Sequence, residues 1–372
     1  MDCPPIYHLP QDSLHQIFFS LPLRQIVVCR AVSKFFNQIL TSPSFLQSVS
    51  SQHPPHYLLA LRPPHHRHLH HAQRHHVSSP PSLDVFDPDL NQWLKFPLDF
   101  LPFRSLQPVA SSPGLVYFWG ESSDWLDSNK SLVVCNPMNR QFRVLPQLGS
   151  AWSRHGSVLV DSASRVMVLT ELAALYFSGT SKHWLNFSSN LPSKPRSPIL
   201  VSDSVYALCD VGSPWRSQWK LFSCNLIKLT TTLTWTRLER QEWRDVFDIL
   251  KRPRLVRGVE NRILMVGGLK SSFSLNSPCS TILILRLDLD TLDWDEAGRM
   301  PLDMFKCFQE SSKFKVFGGG DRVCFSAKRI GKLVLWDRNG AGGEWRWIDK
   351  MPGNVDGLYR GFVFEGKLTS EP

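Results

Sequence analysis

Residues 65–76 hold seven of the chain's 13 histidines, in the sequence HHRHLHHAQRHH. Histidine nitrogens bind zinc and nickel, so a metal site is one hypothesis for this segment. A structural site, however, needs a fixed tetrahedral set of ligands, usually with cysteine or carboxylate at ordered spacing. Prolines and serines flank these histidines instead. The pattern favours an exposed loop, and we expect no bound metal and no other cofactor.

The sequence lacks the motifs of the common catalytic sites. It contains no GxSxG nucleophile elbow, no HExxH zinc site and no glycine-rich loop that opens a helix. Carboxylates occur mainly in predicted turns, where Asp is favoured for reasons of backbone conformation. We therefore expect a protein that binds other molecules and catalyses no reaction.

The cysteines and the N-terminus indicate the compartment. Eight cysteines lie at positions 3, 29, 135, 209, 224, 279, 307 and 324, and none has CxxC spacing. The first residues, MDCPPIYHLPQDSL, do not have the pattern of a secretory signal. Scattered thiols without such a signal are typical of reduced core residues, so we expect an intracellular protein of the cytoplasm, the nucleus or both.

The charge balance favours acidic partners. The formal net charge is +10, but the lysines and arginines are dispersed along the chain and form no basic block. We therefore do not expect nucleic-acid binding. No apolar run approaches the ~20 residues that span a bilayer, so we expect no membrane partner.

The apolar period divides the chain into two regions. Residues 9–46 have the period of short helices, with Leu14, Ile17, Phe18 and Leu21 on one helix face. Asp12 is placed to cap the start of this helix, and Pro22 is placed to end it. Two or three helices of this length cannot bury all their apolar side chains, so we expect a partner to cover the remainder.

Residues 51–372 have the alternating period of strands and contain a repeat. A turn pair followed six residues later by an aromatic residue occurs in DPDLNQW (87–93), NPMNRQF (136–142), SGTSKHW (178–184) and DLDTLDW (288–294). Adjacent copies lie 42 to 49 residues apart, a length that four short strands fill. The region has room for six such units, and the repeated aromatic is placed to fill the gap between neighbouring units.

The six predicted sheets need a closed arrangement, because none can bury both faces alone. Radial packing into a β-propeller leaves no long sheet edge exposed. The C-terminal segment 357–366 reads as a single strand, whereas the first unit has three strands (57–62, 83–87 and 92–96). We expect the C-terminal strand to complete the first blade and close the ring.

One cation lies where the chain enters the inner strand of each predicted blade. In a propeller these segments lie on one face around the central channel, where a ring of cations would attract an acidic or phosphorylated segment. The candidates for target binding are Arg104, Arg154, Arg196, Arg254, Lys306 and Arg360, with Trp152 and Phe305 beside them. Lys and Arg make up 42 of 372 residues, so composition alone is the alternative explanation of this ring.

The first segment, LPQDSLHQIFFSLPLRQIVVCRAVSKFFNQILTSPSF (9–45), resembles the F-box. The matching positions are Leu9-Pro10, Leu14, Ile17, Leu21-Pro22, the Val27 to Val32 stretch with Arg30, and Pro43 with Phe45. The remainder is similar to the propeller of plant F-box/kelch proteins in QPVASSPGLVYFWG, SLVVCNPMNRQFRVLP, Gly267-Gly268 and RGFVFE. The resemblance implies a mostly β chain, a six-bladed kelch-type β-propeller (51–372) preceded by a small all-α F-box (1–50).

The resemblance also implies a function. The chain would be the substrate-recognition subunit of an SCF-type cullin–RING E3 ubiquitin ligase, and its F-box would dock on a Skp-type adaptor that links it to the cullin and RING subunits. The propeller would bind an unknown protein target. The implied adaptor-binding residues are Leu9, Pro10, Leu14, Ile17, Leu21, Pro22 and Ile26. The alternatives are a non-degradative F-box/kelch scaffold and, less favoured, a propeller enzyme such as a glycosidase.

Overall fold

The structure is a computed structural model. It describes residues 6–52, 56–63, 80–121, 130–161, 165–179, 181–227, 233–243, 246–271, 279–309, 314–338, 343–353 and 358–372. The histidine-rich segment 65–76 lies outside the described residues. Among the helices within these ranges, none combines the length and the apolar character needed to span a bilayer.

Four short helices precede the sheets: α1 (Gln11–Phe19), α2 (Leu23–Arg30), α3 (Lys34–Leu40) and α4 (Pro43–Gln52). Pro10 and Pro22 occupy the N-cap positions of α1 and α2, with φ of −54° and −56°. A proline fits there because the first turn of a helix does not need its missing N–H. The prediction that Asp12 caps α1 is wrong, since Asp12 lies within the first turn and Pro10 provides no side-chain cap. Likewise α1 ends at Phe19, and Pro22 marks the start of α2.

After the helices, the described residues form six sheets of four antiparallel strands, which confirms the predicted six-bladed propeller. From the inner strand outwards, blade 1 contains β24 (Arg360–Gly366), β1 (His56–Arg62), β2 (Ser82–Asp87) and β3 (Gln92–Pro97). Blade 2 contains β4 (Ser105–Ser112), β5 (Leu115–Glu121), β6 (Lys130–Asn136) and β7 (Gln141–Val144). Blade 3 contains β8 (Ser157–Val160), β9 (Val166–Leu169), β10 (Ala173–Phe177) and β11 (Leu185–Ser188).

Blades 4 to 6 have the same layout, and two further helices enter blades 3 and 6. From the inner strand outwards, blade 4 contains β12 (Arg196–Val201), β13 (Ser204–Asp210), β14 (Trp219–Asn225) and β15 (Thr236–Leu238). Blade 5 contains β16 (Leu250–Arg257), β17 (Arg262–Lys270), β18 (Cys279–Asp288) and β19 (Trp294–Arg299). Blade 6 contains β20 (Phe314–Gly319), β21 (Arg322–Ala327), β22 (Leu333–Asp337) and β23 (Glu344–Ile348). Helix α5 (Ser150–His155) precedes β8, and α6 (Leu302–Gln309) precedes β20.

The repeated sequence motif forms the hairpin between the third and fourth strands of a blade. Asp87 ends β2, and its Oδ1 accepts hydrogen bonds from the backbone amides of Asp89 and Leu90, both at 3.0 Å. Asp288 accepts from the amides of Asp290 and Thr291 in blade 5, at 3.0 and 3.3 Å. These side chains satisfy the amides of a tight turn, which is why Asp recurs at that position.

In blades 1 and 3 the tryptophan of the motif links the blade to the one before it. The indole Nε1 of Trp93 in blade 1 donates to the carbonyl oxygen of Asp349 after blade 6, at 2.9 Å. Trp184 in blade 3 donates in the same way to the carbonyl oxygen of Pro146 after blade 2. Each ring therefore covers apolar area between two sheets while its N–H finds an acceptor.

The ring closes because the last strand pairs with the first. Strands β24 and β1 are antiparallel over seven residue pairs, from His56–Gly366 to Arg62–Arg360. The inner strands of neighbouring blades contact one another all the way around the channel. Beyond β24, the Nδ2 of Asn136 in blade 2 donates to the carbonyl oxygens of Lys367 and Ser370 at 2.9 and 3.0 Å, so the tail is held as well.

All inner strands run in the same direction, and this defines two faces of the ring. We call the face where they begin the top face and the face where they end the bottom face. Arg62 and Arg360 lie at the top, because they are paired at the start of β24. The helices lie at the bottom, because α4 leads into the start of β1, which is paired with the end of β24.

The helices share one hydrophobic core with blades 1 and 2. Leu14, Phe18 and Ile26 belong to the same buried cluster as Phe118 of β5 and Phe364 of β24. Two local contacts reinforce this junction: Leu23 packs beside Gly366, and the Arg30 Nη1 donates to the carbonyl oxygen of Met138 at 3.1 Å. A common core of this kind fixes the orientation of the helices relative to the ring.

We predict that Phe364→Ala lowers the free energy of unfolding by about 3–5 kcal/mol, because it leaves a cavity where the closing strand meets the core that blades 1 and 2 share with the helices. Phe364 is fully buried, whereas Phe142 on β7 is exposed. Denaturant unfolding followed by tryptophan fluorescence measures the effect, and Phe142→Ala is the control. Equal midpoints for the two variants would contradict the importance of the closing strand.

Candidate functional site

The structure separates the seven implied adaptor-binding residues into two groups. Leu14 and Ile26 are fully buried in the shared core, so they hold the helices in place and have no surface to offer in this conformation. Pro10, Ile17 and Pro22 are exposed. Leu9 and Leu21 are half-buried at the edge of the shared core. Direct contact with a partner stays a prediction for these last five residues.

Apolar side chains are left uncovered on the helical unit. Ile17 on α1 is 44% exposed, Val28 on α2 is 59% exposed, and Val32 in the turn after α2 is 65% exposed. Sequence reasoning missed Val28 and Val32 as candidates, although their spacing of four residues places them on one side of a helical turn. Both lie in the Val27 to Val32 stretch that resembles the F-box, but composition does not tell which side of a short helix faces the core.

The six predicted cations all precede or enter an inner strand, but the structure does not arrange them as one uniform ring. Arg196 and Arg360 begin β12 and β24, and Arg254 lies within β16. Arg104 lies directly before β4. Arg154 and Lys306 lie on helices α5 and α6 and are exposed, and the Lys306 Nζ is 3.8 Å from the carboxylate of Asp303.

Three of these cations form one group with two arginines that the sequence did not single out. Burial, followed by the charges of Arg196, Arg360 and Arg252, lowers the pKa of Arg254 to about 10. Burial followed by the charge of Arg360 lowers the pKa of Arg62, also to about 10. Mutual repulsion requires these guanidinium groups to lie near one another. We call Arg62, Arg196, Arg252, Arg254 and Arg360 the arginine cluster.

Two bulges bring the cluster together. The register of β12 shifts between Arg196 and Ile199, and that of β16 shifts between Lys251 and Arg254. Within these bulges Ser197 and Arg252 have φ of 45° and 54°. A bulge inserts an extra residue into a strand and redirects its side chains. Alternating strand patterns contain no signal for such an insertion, which explains why Arg252 was not predicted.

The aromatic residues at the top face differ from the prediction in one case. Phe305 is only 6% exposed and packs in the core between blades 5 and 6, so it supports α6 and is not accessible to a bound peptide. Trp152 is half-buried against the core of blades 2 and 3. The Arg196 guanidinium lies over the ring of Trp219, 4.7 Å from its centroid. Trp215, in the loop between β13 and β14, is 85% exposed.

The top and bottom faces therefore carry different chemistry. Uncovered apolar side chains lie on the helical unit at the bottom, and a group of arginines with an exposed tryptophan lies at the top. Apolar helix surfaces suit the groove of a protein partner. Clustered guanidinium groups suit carboxylates or phosphates. Both are arrangements for binding.

Residues 6–48 match the F-box domain. Over 378 aligned residues the chain is 66% identical to a protein of Arabidopsis thaliana named SKP1-interacting partner 15, and the alignment covers 100% of both chains.

Two F-box/kelch-repeat proteins of Arabidopsis thaliana are also similar to the chain. One is 23% identical over 93% of this chain and 82% of its own length, and the other is 24% identical over 98% and 90%. The F-box match coincides with the four helices, and the alignments continue through the propeller. The chain therefore belongs to the family of F-box/kelch-repeat proteins.

Proposed function

We propose that this chain is the substrate-recognition subunit of an SCF-type cullin–RING E3 ubiquitin ligase. Its helices dock on a Skp-type adaptor, which connects them to the cullin and RING subunits, and its propeller holds the protein to be ubiquitinated. The observation that carries the proposal is the helical unit: it matches the F-box and keeps Ile17, Val28 and Val32 exposed, although many of its other apolar side chains are buried in the core shared with blades 1 and 2. The name of the relative that is 66% identical supports an adaptor of the SKP1 type.

The exposed apolar residues support docking on physical grounds. A helical unit of this size gains stability by burying apolar area, and each fully buried aliphatic side chain contributes about 1.5–3 kcal/mol. Exposed apolar groups of this kind therefore favour a partner that covers them. The shared core with blades 1 and 2 holds the docking surface at a fixed angle to the ring.

In this proposal the chain performs no covalent chemistry. The RING subunit brings a ubiquitin-conjugating enzyme, and the propeller holds a target lysine close to it, so the contribution of this chain is proximity and orientation. A fixed angle between the adaptor-docking surface and the top face suits that role, because a loose connection would weaken the positional effect. Ubiquitination of the target distinguishes this function from that of a scaffold that binds the adaptor without degradation.

We place the protein in the cytoplasm or the nucleus, where the ubiquitin ligase works. The thiols support this placement: Cys135, Cys209, Cys224 and Cys324 are buried and free. Burial raises the pKa of Cys135 to about 12 and that of Cys209 to about 11. Such thiols stay protonated and unreactive, and they suit a reducing compartment.

We predict that Ile17→Asp reduces the recovery of co-expressed Arabidopsis SKP1 by at least about tenfold, because a charge in the centre of an apolar contact costs affinity. Ile17 is exposed in the free chain, so the substitution leaves the fold intact. Affinity purification with quantification of the adaptor measures the effect, and circular dichroism checks the fold.

The matched control is Leu172→Asp, which places the same charge on an exposed leucine in the turn between β9 and β10, on the top face. We expect this variant to recover the adaptor as the unmodified chain does. If Ile17→Asp binds the adaptor as well as the control does, the proposed docking surface is wrong.

A further inference from the structure

The arginine cluster comes from inner and second strands that meet around the top of the central channel. Arg62 and Arg360 come from blade 1, Arg196 from blade 4, and Arg252 and Arg254 from blade 5. The charges of Arg196 and Arg360, on the inner strands of two other blades, lower the pKa of Arg254. Positive charge is therefore gathered from three blades at the mouth of the central channel.

Arginines elsewhere in the propeller form salt bridges with aspartates. Arg322 contacts the carboxylates of Asp337 and Asp89, both at 3.1 Å, and Arg262 lies 3.4 Å from that of Asp288. Across the part of the chain that the structure describes, none of the five members of the cluster forms a salt bridge. The carboxylate of Asp210 raises the pKa of Arg196, but this effect is smaller than the lowering by burial and by the charge of Arg252.

The arrangement is unfavourable for the free protein. Arg62, Arg196 and Arg254 are half-buried, so their charges lose hydration, and none of the three gains a salt bridge from the residues that the structure describes. The bulge residues Ser197 and Arg252 have left-handed backbone conformations, which residues other than glycine adopt at a cost in conformational free energy. Unpaired charge and local strain at the same place are features of sites that become favourable when a ligand binds.

We propose that the arginine cluster binds an anionic peptide segment of the target, through carboxylate or phosphate groups. This inference rests on the proposed function, since it names the chemistry by which the propeller recognises its target. Guanidinium groups bind both anions through paired N–H donors, and their planar geometry fixes the orientation of the bound group. The stacking of Arg196 on Trp219 orients one such donor plane in advance.

A peptide fits the site better than a nucleic acid does. Binding along a phosphate backbone requires basic residues spread over a groove or track. Here the five charges are gathered at one channel mouth, where a short segment with a few negative groups reaches all of them. Trp215, exposed on the loop between β13 and β14 of blade 4, adds an aromatic anchor of the kind that dominates protein interfaces.

The test uses the full chain co-purified with SKP1 and a fluorescein-labelled decaglutamate peptide, followed by fluorescence anisotropy. Arg254→Glu is expected to weaken binding by at least about tenfold, because it replaces a central cation by a negative charge that repels the peptide. The matched control is Arg257→Glu, at the bottom end of the same strand and exposed, which is expected to change binding by less than about twofold.

Second probes separate the sources of the anion. The second probe is an otherwise neutral peptide that carries one phosphoserine. If it binds more tightly than decaglutamate, and Arg254→Glu abolishes this binding, the site is assigned to a phosphorylated target. If decaglutamate binds more tightly, the site is assigned to an acidic target. Unchanged binding in Arg254→Glu, or an equal loss in Arg257→Glu, overturns the inference. Tighter and equally sensitive binding of a mixed-sequence oligonucleotide overturns the assignment to a peptide.

The recovery of SKP1 from the same preparations distinguishes a failure of the ligase function from a failure of the anion-binding site. If Arg254→Glu still binds SKP1 and still binds decaglutamate, the site assignment fails and the ligase function stands. If the unmodified chain does not bind SKP1, the ligase function fails whatever the peptide does.

A stability measurement gives an independent prediction. Arg254→Met removes an unpaired, half-buried charge and keeps the apolar stem, so we expect the melting temperature to rise by about 2 °C. Arg257→Met, the control, is expected to shift it by less than about 1 °C. A lower melting temperature in Arg254→Met would show that the arginine stabilises the free fold, which contradicts a site held ready for an anion.

Discussion

The architecture depends on the pairing of β1 with β24, which joins the two ends of the propeller within blade 1. Five of the blades are built from consecutive strands, and each packs against neighbours that would separate if the ring were open. Seven residue pairs close it, and the absence of a side chain at Gly361 lets the strands meet, because a Cβ there would overlap the carbonyl oxygen of Ala60. The arginine cluster is a product of this closure, since Arg62 and Arg360 become neighbours only when these strands pair.

The sequence predicted the parts of the structure that have a local cause. Asp87 and Asp288 mark hairpins because their side chains satisfy turn amides, and Trp93 and Trp184 recur because each bridges two blades. The F-box segment was recognisable because prolines at the N-caps of α1 and α2 and the apolar residues between them follow one another in order. The three strands in the first unit and the single C-terminal strand indicated how the ring is completed.

Features with a tertiary cause escaped prediction. The burial of Leu14 and Ile26 and the exposure of Val28 and Val32 depend on how α1 and α2 pack on blades 1 and 2, and the period of a short helix does not contain that information. Phe305 is buried because α6 lies flat on the core between two blades. Arg252 joins the cluster through a bulge, and a bulge interrupts the very alternation on which strand prediction relies.

The position of β24 has a consequence for synthesis of the protein. Translation proceeds from the N-terminus, so the helices and β1 leave the ribosome before β24, and the inner position beside β1 stays empty until β24 is made. During that time blade 1 exposes a free strand edge and part of the core shared with α1 and α2, a state that attracts other unpaired strands. Closure of the ring therefore follows the synthesis of every other strand, and a chain that lacks residues 360–366 has an open ring.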